Sequence, residues 1–250
     1  MNNNKVVLIT GGGRGIGLGI TQAFVEAGYQ VLVVQRSALP QDLVDEPNVD
    51  FRQVDLSTSD NFDDLVEYVT VTYGCLHALV NNAGIMFEQP MGKLQRADWD
   101  AMLALNVTTP VFLTQALQPL LQLSKGAIVN IGSIEGLGSN PQHVAYCSTK
   151  GAVHSMTQAM AVDLGQYGVR CNAIAPGWIK SDLSDAYINA QDDVSGAWQG
   201  LMEMHPVGRV GAPMDVGNAA VFLASAEAAF ISGQVLVVDG GRTAKLPLPF

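Results

Sequence analysis

Tyr146 and Lys150 stand four residues apart in Tyr146-Cys147-Ser148-Thr149-Lys150, and Ser133 lies thirteen positions upstream of the tyrosine. A helix repeats every 3.6 residues, so this spacing projects phenol and ammonium from one helix face. An ammonium beside a phenol favours the phenolate and lowers a pKa that is ordinarily about 10. The hydroxyl then becomes a proton donor and acceptor near neutral pH. A serine at the end of a strand can hold a carbonyl oxygen against that phenol. The same spacing also occurs on ordinary helix surfaces, so its weight depends on what surrounds it.

A second chemical feature lies near the N-terminus, in Thr10-Gly11-Gly12-Gly13-Arg14-Gly15-Ile16-Gly17. Glycines let a backbone turn sharply and approach a pyrophosphate, which a helix N-terminus stabilises through free N–H groups and its dipole. The spacing is Gly-x-x-x-Gly-x-Gly rather than the Gly-x-Gly-x-x-Gly of the usual dinucleotide fingerprint. Where the second strand should end, Gln35, Arg36 and Ser37 stand at a position where a carboxylate would bind an adenosine ribose and repel a 2′-phosphate. No carboxylate is present. Arg36 can pair with a phosphate through two charge-assisted bonds, and Arg14 is a second cation within the glycine loop.

These residues need elements to position them. Apolar, β-branched runs at 6–10, 31–34, 49–54, 76–81, 127–131, 169–175 and 234–238 read as seven strands. Helical patterns at 16–27, 62–73, 97–123, 143–167 and 213–224 fall between them, the last with Pro213 in its first turn. Strand-helix alternation of this kind predicts right-handed crossovers and an α/β, doubly wound, parallel seven-stranded sheet of Rossmann type. Wholly apolar strands fit burial on both faces. The chain reads as a single catalytic domain over 1–250. One stretch, 181–209, breaks the rhythm; it is polar, poor in strand formers and holds Trp198. It is a candidate substrate lid, or else a surface excursion.

Composition narrows the classes. Thirteen Lys+Arg against 23 Asp+Glu give a net charge of −10, which disfavours nucleic acid and anionic membrane surfaces as partners. Any anionic cofactor therefore needs local cations or helix N-termini. Cys75, Cys147 and Cys171 are odd in number and lack metal-type spacing, so they read as reduced thiols, and no metal site is expected. The N-terminal Met1-Asn2-Asn3-Asn4-Lys5 leads into an apolar run of four residues, too short for a signal-peptide core or a membrane span. A soluble, cytoplasmic protein is expected.

Taken together, 10–17, Asn81-Asn82-Ala83-Gly84, Ser133, Tyr146-x-x-x-Lys150 and Pro176-Gly177 stand in the order and spacing of one known family. Over essentially its whole length the chain resembles the short-chain dehydrogenases/reductases of classical type. The resemblance implies an oxidoreductase in which Tyr146 donates or accepts the proton, Lys150 tunes it and holds the nicotinamide ribose, and Ser133 binds the substrate oxygen. It further implies that Asn106 interrupts a helix and holds a water beside the lysine. Gly11, Arg14, Gly15, Ile16 and Gly17 would cradle the pyrophosphate, with Gln35 and Arg36 at the adenosine ribose. Asp55 and Leu56 would meet the adenine, and Asn82, Ala83 and Gly84 would line the ribose side. Pro176, Gly177 and Ile179 would lie against the nicotinamide, and Ser181 would contact its carboxamide. NADP(H) is the cofactor implied; NAD(H) stays usable if Arg14 and Arg36 are solvated or pair with surface carboxylates.

Substrate is less sharply written. Glu135, two residues after Ser133, either faces the reacting oxygen or turns to solvent or caps a turn. In the first case it suits a polyhydroxylated or cationic substrate. His143 either bonds a substrate hydroxyl or is structural, and Trp178 and Trp198 are further pocket candidates. The expected substrate is a small ketone, sugar or polyol, with a 3-oxoacyl thioester as the alternative. A regulator that binds nucleotide without turnover is the non-enzymatic one. The family usually assembles as a homo-oligomer, tetramer or dimer, and residues 235–238 with the apolar tail 246–250 fit burial in such a contact.

Overall fold

The buried, mainly apolar strands β1, β2, β4 and β5 form the centre of one parallel sheet, whose full order is β3-β2-β1-β4-β5-β6-β7 with the more exposed β3 and β7 at its edges. The computed structural model describes residues 5–58 and 61–246. The strands are β1 (Val6–Thr10), β2 (Gln30–Gln35), β3 (Val49–Gln53), β4 (Ala78–Asn81), β5 (Ala127–Ile131), β6 (Arg170–Pro176) and β7 (Val235–Val238). The helices are α1 (Gly15–Glu26), α2 (Gln41–Val44), α3 (Asp63–Tyr73), α4 (Arg96–Leu103), α5 (Thr109–Ser124), α6 (Val144–Gly165), α7 (Asp182–Asn189), α8 (Val194–Glu203) and α9 (Pro213–Ala224). Residues 1–4, read above for a leader, and 247–250 of the apolar tail lie outside the described residues.

Alternation along β1 shows how the sheet is held. Val6 and Leu8 enter a core with Leu65 and Val69 of α3, Leu113 and Leu117 of α5 and Leu164 of α6. Val7 and Ile9 enter the opposite core with Ile20 and Phe24 of α1 and Val216, Ala220 and Leu223 of α9. Each large apolar side chain buried this way contributes about 1.5–3 kcal/mol. Strand order reverses at β1: β2 and β3 lie to one side, β4 and later strands to the other. In such sheets the crevice at the C-terminal ends of the diverging strands is where ligands bind.

Two segments differ from expectation. The helix expected over 97–123 is split into α4 and α5 by a π-turn, Ala104–Thr108, centred on Asn106. Pro110 explains the break, because it offers no N–H to the carbonyl four residues back, which is that of Asn106. π-turns cluster at functional sites. The 181–209 stretch, to which the sequence pattern assigns no element, holds α7 and α8. Ser181 and Ser184 form a reciprocal capping box that starts α7, and Asp193 Oδ1 accepts the Gly196 N–H at 2.9 Å to start α8.

Candidate active site

Helix α6 is pinned against the sheet by a buried polar chain. Asn81 Nδ2 donates to Asn130 Oδ1 at 2.8 Å, and Asn130 Nδ2 donates to Thr157 Oγ1 at 2.9 Å. That anchoring fixes the face bearing Tyr146 and Lys150 beside the exit of β5, where Ser133 sits. Ser133 caps a 3-10 turn, Ile134–Gly136, its Oγ accepting the Glu135 N–H at 3.1 Å. The three expected residues are therefore brought together.

Their electrostatics depart from expectation. Lys150 is buried and its Nζ donates to the Ile131 carbonyl at 2.8 Å, while lying 5.5 Å from the centroid of the Tyr146 ring. Burial lowers its pKa to about 8. The Tyr146 phenol is not pulled down by this neighbour. Burial pushes it up to about 12, the Ser133 hydroxyl pulls against that, and the charges of Glu135 and Cys147 add to the rise. The ammonium is spent on a backbone carbonyl, so the phenol as it stands holds its proton.

Asn106, buried within the π-turn, is held by its side chain. Its Oδ1 accepts the Ile85 N–H at 2.9 Å, and its Nδ2 donates to the Ile85 carbonyl at 2.9 Å and to Thr149 Oγ1 at 3.1 Å. Both amide protons are engaged, so the side chain ties the β4 exit to α6. Gly84 lies between Asn106 and Lys150: a Cβ there would be 3.1 Å from Asn106 Oδ1 and 3.8 Å from Lys150 Nζ.

The glycine loop turns from β1 into α1 across the crevice. A Cβ on Gly17 would overlap the Gly11 carbonyl oxygen, so no larger residue fits there. Asn82 Nδ2 holds the loop from the β4 side, donating to the Thr10 and Gly11 carbonyls at 2.9 and 3.0 Å, and Ala83 N–H donates to Thr10 Oγ1 at 3.0 Å. Ile16 is half-buried against the α1 core. On the far wall, Gly177 N–H bonds Val238, Ile179 is buried and bridged to Gly211, and Ser181 follows. A Cβ built on Gly15 would meet the Ser181 Cβ at 3.6 Å, so loop and wall face each other closely. Pro176 closes β6 beneath this wall. The Ser181 hydroxyl is engaged in starting α7, which competes with its expected role at a carboxamide.

Gln35 is placed differently from expectation. Its Oε1 accepts the Gly13 N–H at 2.8 Å, and its Nε2 donates to the Ser37 and Ala38 carbonyls at 3.0 and 3.2 Å. It braces the glycine loop rather than presenting a free amide. Arg14 and Arg36 are exposed at the crevice rim, and Arg14 has no side-chain ion pair among the described residues. Asp55 lies near Arg36 and accepts from Ser57 N–H at 3.0 Å and Ser57 Oγ at 2.6 Å, bonds that lower its pKa, with the Arg36 charge a smaller cause. Leu56 is buried. A tight glycine turn, a helix N-terminus and two rim cations fit an anionic dinucleotide.

Beyond Tyr146 lies a cluster the sequence showed only in part. His143 Nδ1 is 2.7 Å from Glu135 Oε2 and its Nε2 is 3.3 Å from Glu88 Oε1. Asn140 Nδ2 also donates to Glu135 Oε1. Glu135 therefore neither turns to solvent nor points freely at a ligand; its side chain is 12% exposed and locked onto His143. The His143 ring stands edge-on to Tyr146, centroids 6.3 Å apart. Glu88 was not foreseen, because nothing local marks a carboxylate that meets a histidine 55 residues later. Trp178 packs on Tyr187 of α7 at 5.7 Å, its indole N–H buried without a partner among the described residues, and Trp198 is half-buried on α8.

Residues 11–243 match the family model described as enoyl-(acyl carrier protein) reductase. The chain belongs to the short-chain dehydrogenase/reductase family, classical type. It is 39% identical to an L-fucose dehydrogenase of Bos taurus over 240 residues, covering 95% of this chain and 88% of that one. It is 35% identical to a 3-oxoacyl-[acyl-carrier-protein] reductase of Chlamydia muridarum (strain MoPn / Nigg) over 247 residues, covering 95% and 97%. Among solved structures, ElxO with NADP bound superposes with a TM-score of 0.89 at 31% identity, covering 97% of this chain and 100% of that one. The protein is thus an oxidoreductase of the short-chain NAD(P)-dependent class that acts on alcohol groups. Among the described residues, no helix is long and apolar enough to cross a membrane, and no group of His, Cys, Asp and Glu is arranged to hold a metal ion.

Proposed function

We propose that the protein is an NADP(H)-dependent reductase or dehydrogenase of a small neutral ketone, sugar or polyol. The observation that carries this reading is the convergence of Ser133, Tyr146 and Lys150 below the glycine-loop crevice. NADP(H), when bound, supplies or takes up the hydride. Tyr146 gives its proton to the substrate oxygen in reduction and takes it back in oxidation. Ser133 hydrogen-bonds that oxygen and stabilises the negative charge growing on it. Lys150 exchanges its bond to Ile131 for the nicotinamide ribose, which brings its charge to bear on the phenol. Asn106 keeps the β4 exit packed on α6, with Asn82, Ala83 and Gly84 along the ribose side. Arg14 and Arg36 favour the 2′-phosphate, since no carboxylate stands at the end of β2 to repel it. The segment 181–209, with α7 and α8, serves as the lid over the substrate.

Charge supports a neutral substrate. The lid contributes Asp185, Asp192, Asp193 and Glu203, and its Arg209 is paired with Asp215 at 2.6 and 2.9 Å. A 3-oxoacyl thioester is the second reading, favoured by the likeness to the Chlamydia muridarum reductase; the scarcity of free lid cations counts against an anionic carrier. The test is NADPH absorbance with a panel of ketones, wild type against Tyr146→Phe. Turnover lost with the hydroxyl is the expected result, and equal turnover in both would sink the mechanism.

A further inference from the structure

Tyr146, Lys150 and His154 follow one another at four-residue steps along α6 and so share one face of it. His154 is only 7% exposed, yet neither ring nitrogen has a hydrogen-bond partner of good geometry among the described residues. An apolar side chain would fill this space without the cost of an unpaired polar group, about 1–3 kcal/mol. The ring lies in a notch between Gly132 and Gly136, the two glycines on either side of the Ser133 turn. A Cβ on Gly132 would overlap its Nε2, and one on Gly136 would sit 2.7 Å from its Nδ1. Lys150 meets the same segment one residue earlier, at the Ile131 carbonyl. His154 is the floor on which the Ser133 turn rests.

Its charge state is coupled to the site as well. Burial first, and the Lys150 charge second, push the ring toward lower pKa, with the Gly136 backbone opposing. Other ionisable groups on the elements packed against α6 are engaged or remote. β5 and the π-turn carry none. Glu135, on the Ser133 turn, is held by His143 and Asn140. Arg170 and Cys171 occupy the opposite end of β6. On α4, Arg96 pairs with Asp100, and Asp98 accepts from Gln89.

We propose that His154 is a positioning residue: its uncharged ring sets Ser133 at the depth where it meets the substrate oxygen, and a proton on that ring unseats the turn by placing a second cation against Lys150. The inference rests on the assignment of Ser133, Tyr146 and Lys150 as the reacting groups. Reduction of a ketone active in the panel is followed from about pH 5.5 to about pH 8, the range in which histidines titrate, in wild type and His154→Leu. The expected result is a kcat about tenfold lower, NADPH binding within about twofold of wild type, and a flattened acid limb. A kcat and pH profile both like wild type overturn the proposal, and so does a lower kcat with an unchanged acid limb. The two assignments fail separately: a fully active Tyr146→Phe removes the underlying mechanism, whereas an inactive Tyr146→Phe beside a wild-type-like His154→Leu removes only the role of His154. If His154→Leu does not fold, wild-type protein labelled with ¹⁵N-histidine gives the answer. The His154 ring should gain its proton along the acid limb of kcat; a ring charged at neutral pH, or neutral throughout that limb, overturns the proposal.

Discussion

Glu135 Oε2 lies 2.7 Å from His143 Nδ1, and the other nitrogen of the same ring faces Glu88 Oε1 at 3.3 Å. A neutral imidazole has one N–H and can satisfy only one of these carboxylates; the imidazolium satisfies both. The cluster ties the loop after β4 to the start of α6, directly behind Tyr146. Removing the histidine takes the Oε2 partner from a nearly buried carboxylate that keeps Asn140 at Oε1. His143→Leu should lose about 3 kcal/mol of stability in urea unfolding at neutral pH, and His143→Gln, which retains one donor, should lose less. Equal losses in the two variants would show that packing, not charge, is what the ring supplies.

Glu135 also acts on the phenol. Its charge is among the causes that raise the Tyr146 pKa, so Glu135→Gln should lower it. A proton donor works below its pKa and an acceptor above it. The alkaline limb of reduction should therefore move to lower pH in Glu135→Gln, while oxidation at a fixed pH gains. Profiles of kcat/KM in both directions check this, and limbs that move together in the opposite sense refute it.

What the sequence makes legible is what local signals carry. The central strands were legible because burial on both faces leaves short unbroken apolar runs, the edge strand β3 because Val49 and Phe51 alternate with Asp50 and Arg52, and Tyr146 with Lys150 because a four-residue helical step is local. The π-turn at Asn106 was partly legible through Pro110, but propensity alone runs a helix straight through 97–123. Helices α7 and α8 were hidden because their caps, Ser181 with Ser184 and Asp193, lie within a polar stretch. Glu88 and His154 were illegible for a different reason. One becomes notable only by meeting His143, and the other only by lying, without a hydrogen-bond partner among the described residues, against two glycines of a distant turn. The direction of the Lys150 ammonium was likewise invisible, since its bond goes to a backbone carbonyl.

Burial of Lys150 has a measurable thermodynamic signature. Its pKa in the folded protein is about 8, below the 10.5 of the free side chain. Between about pH 8 and pH 10.5 the unfolded chain therefore binds more protons than the folded one, so this residue's contribution to stability rises with pH across that window. Below pH 8 the lysine is charged in both states and its contribution is least favourable. Lys150→Met lacks the titration. Its stability relative to wild type should fall by on the order of 2 kcal/mol between pH 7 and pH 10. Urea unfolding at the two pH values reads the difference; a gap that is constant or widens in the variant's favour contradicts a depressed lysine.

The end of β2 separates two effects on cofactor binding that selectivity assays can distinguish. Gln35 holds the Gly13 N–H at 2.8 Å and the Ser37 and Ala38 carbonyls, so it shapes the loop that any pyrophosphate must approach. Arg36 follows it, exposed and with Asp55 nearby, and under the proposed function its guanidinium pairs with the 2′-phosphate that NADP(H) has and NAD(H) lacks. Gln35→Ala should therefore weaken NADPH and NADH alike. Arg36→Ala should weaken NADPH about tenfold or more, the loss expected for a charge-assisted contact, and leave NADH within about twofold. Dissociation constants from nicotinamide fluorescence give both ratios. If Arg36→Ala weakens the two cofactors equally, the 2′-phosphate does not meet this arginine, and Arg14→Ala becomes the variant that must show the selective loss for NADP(H) preference to stand.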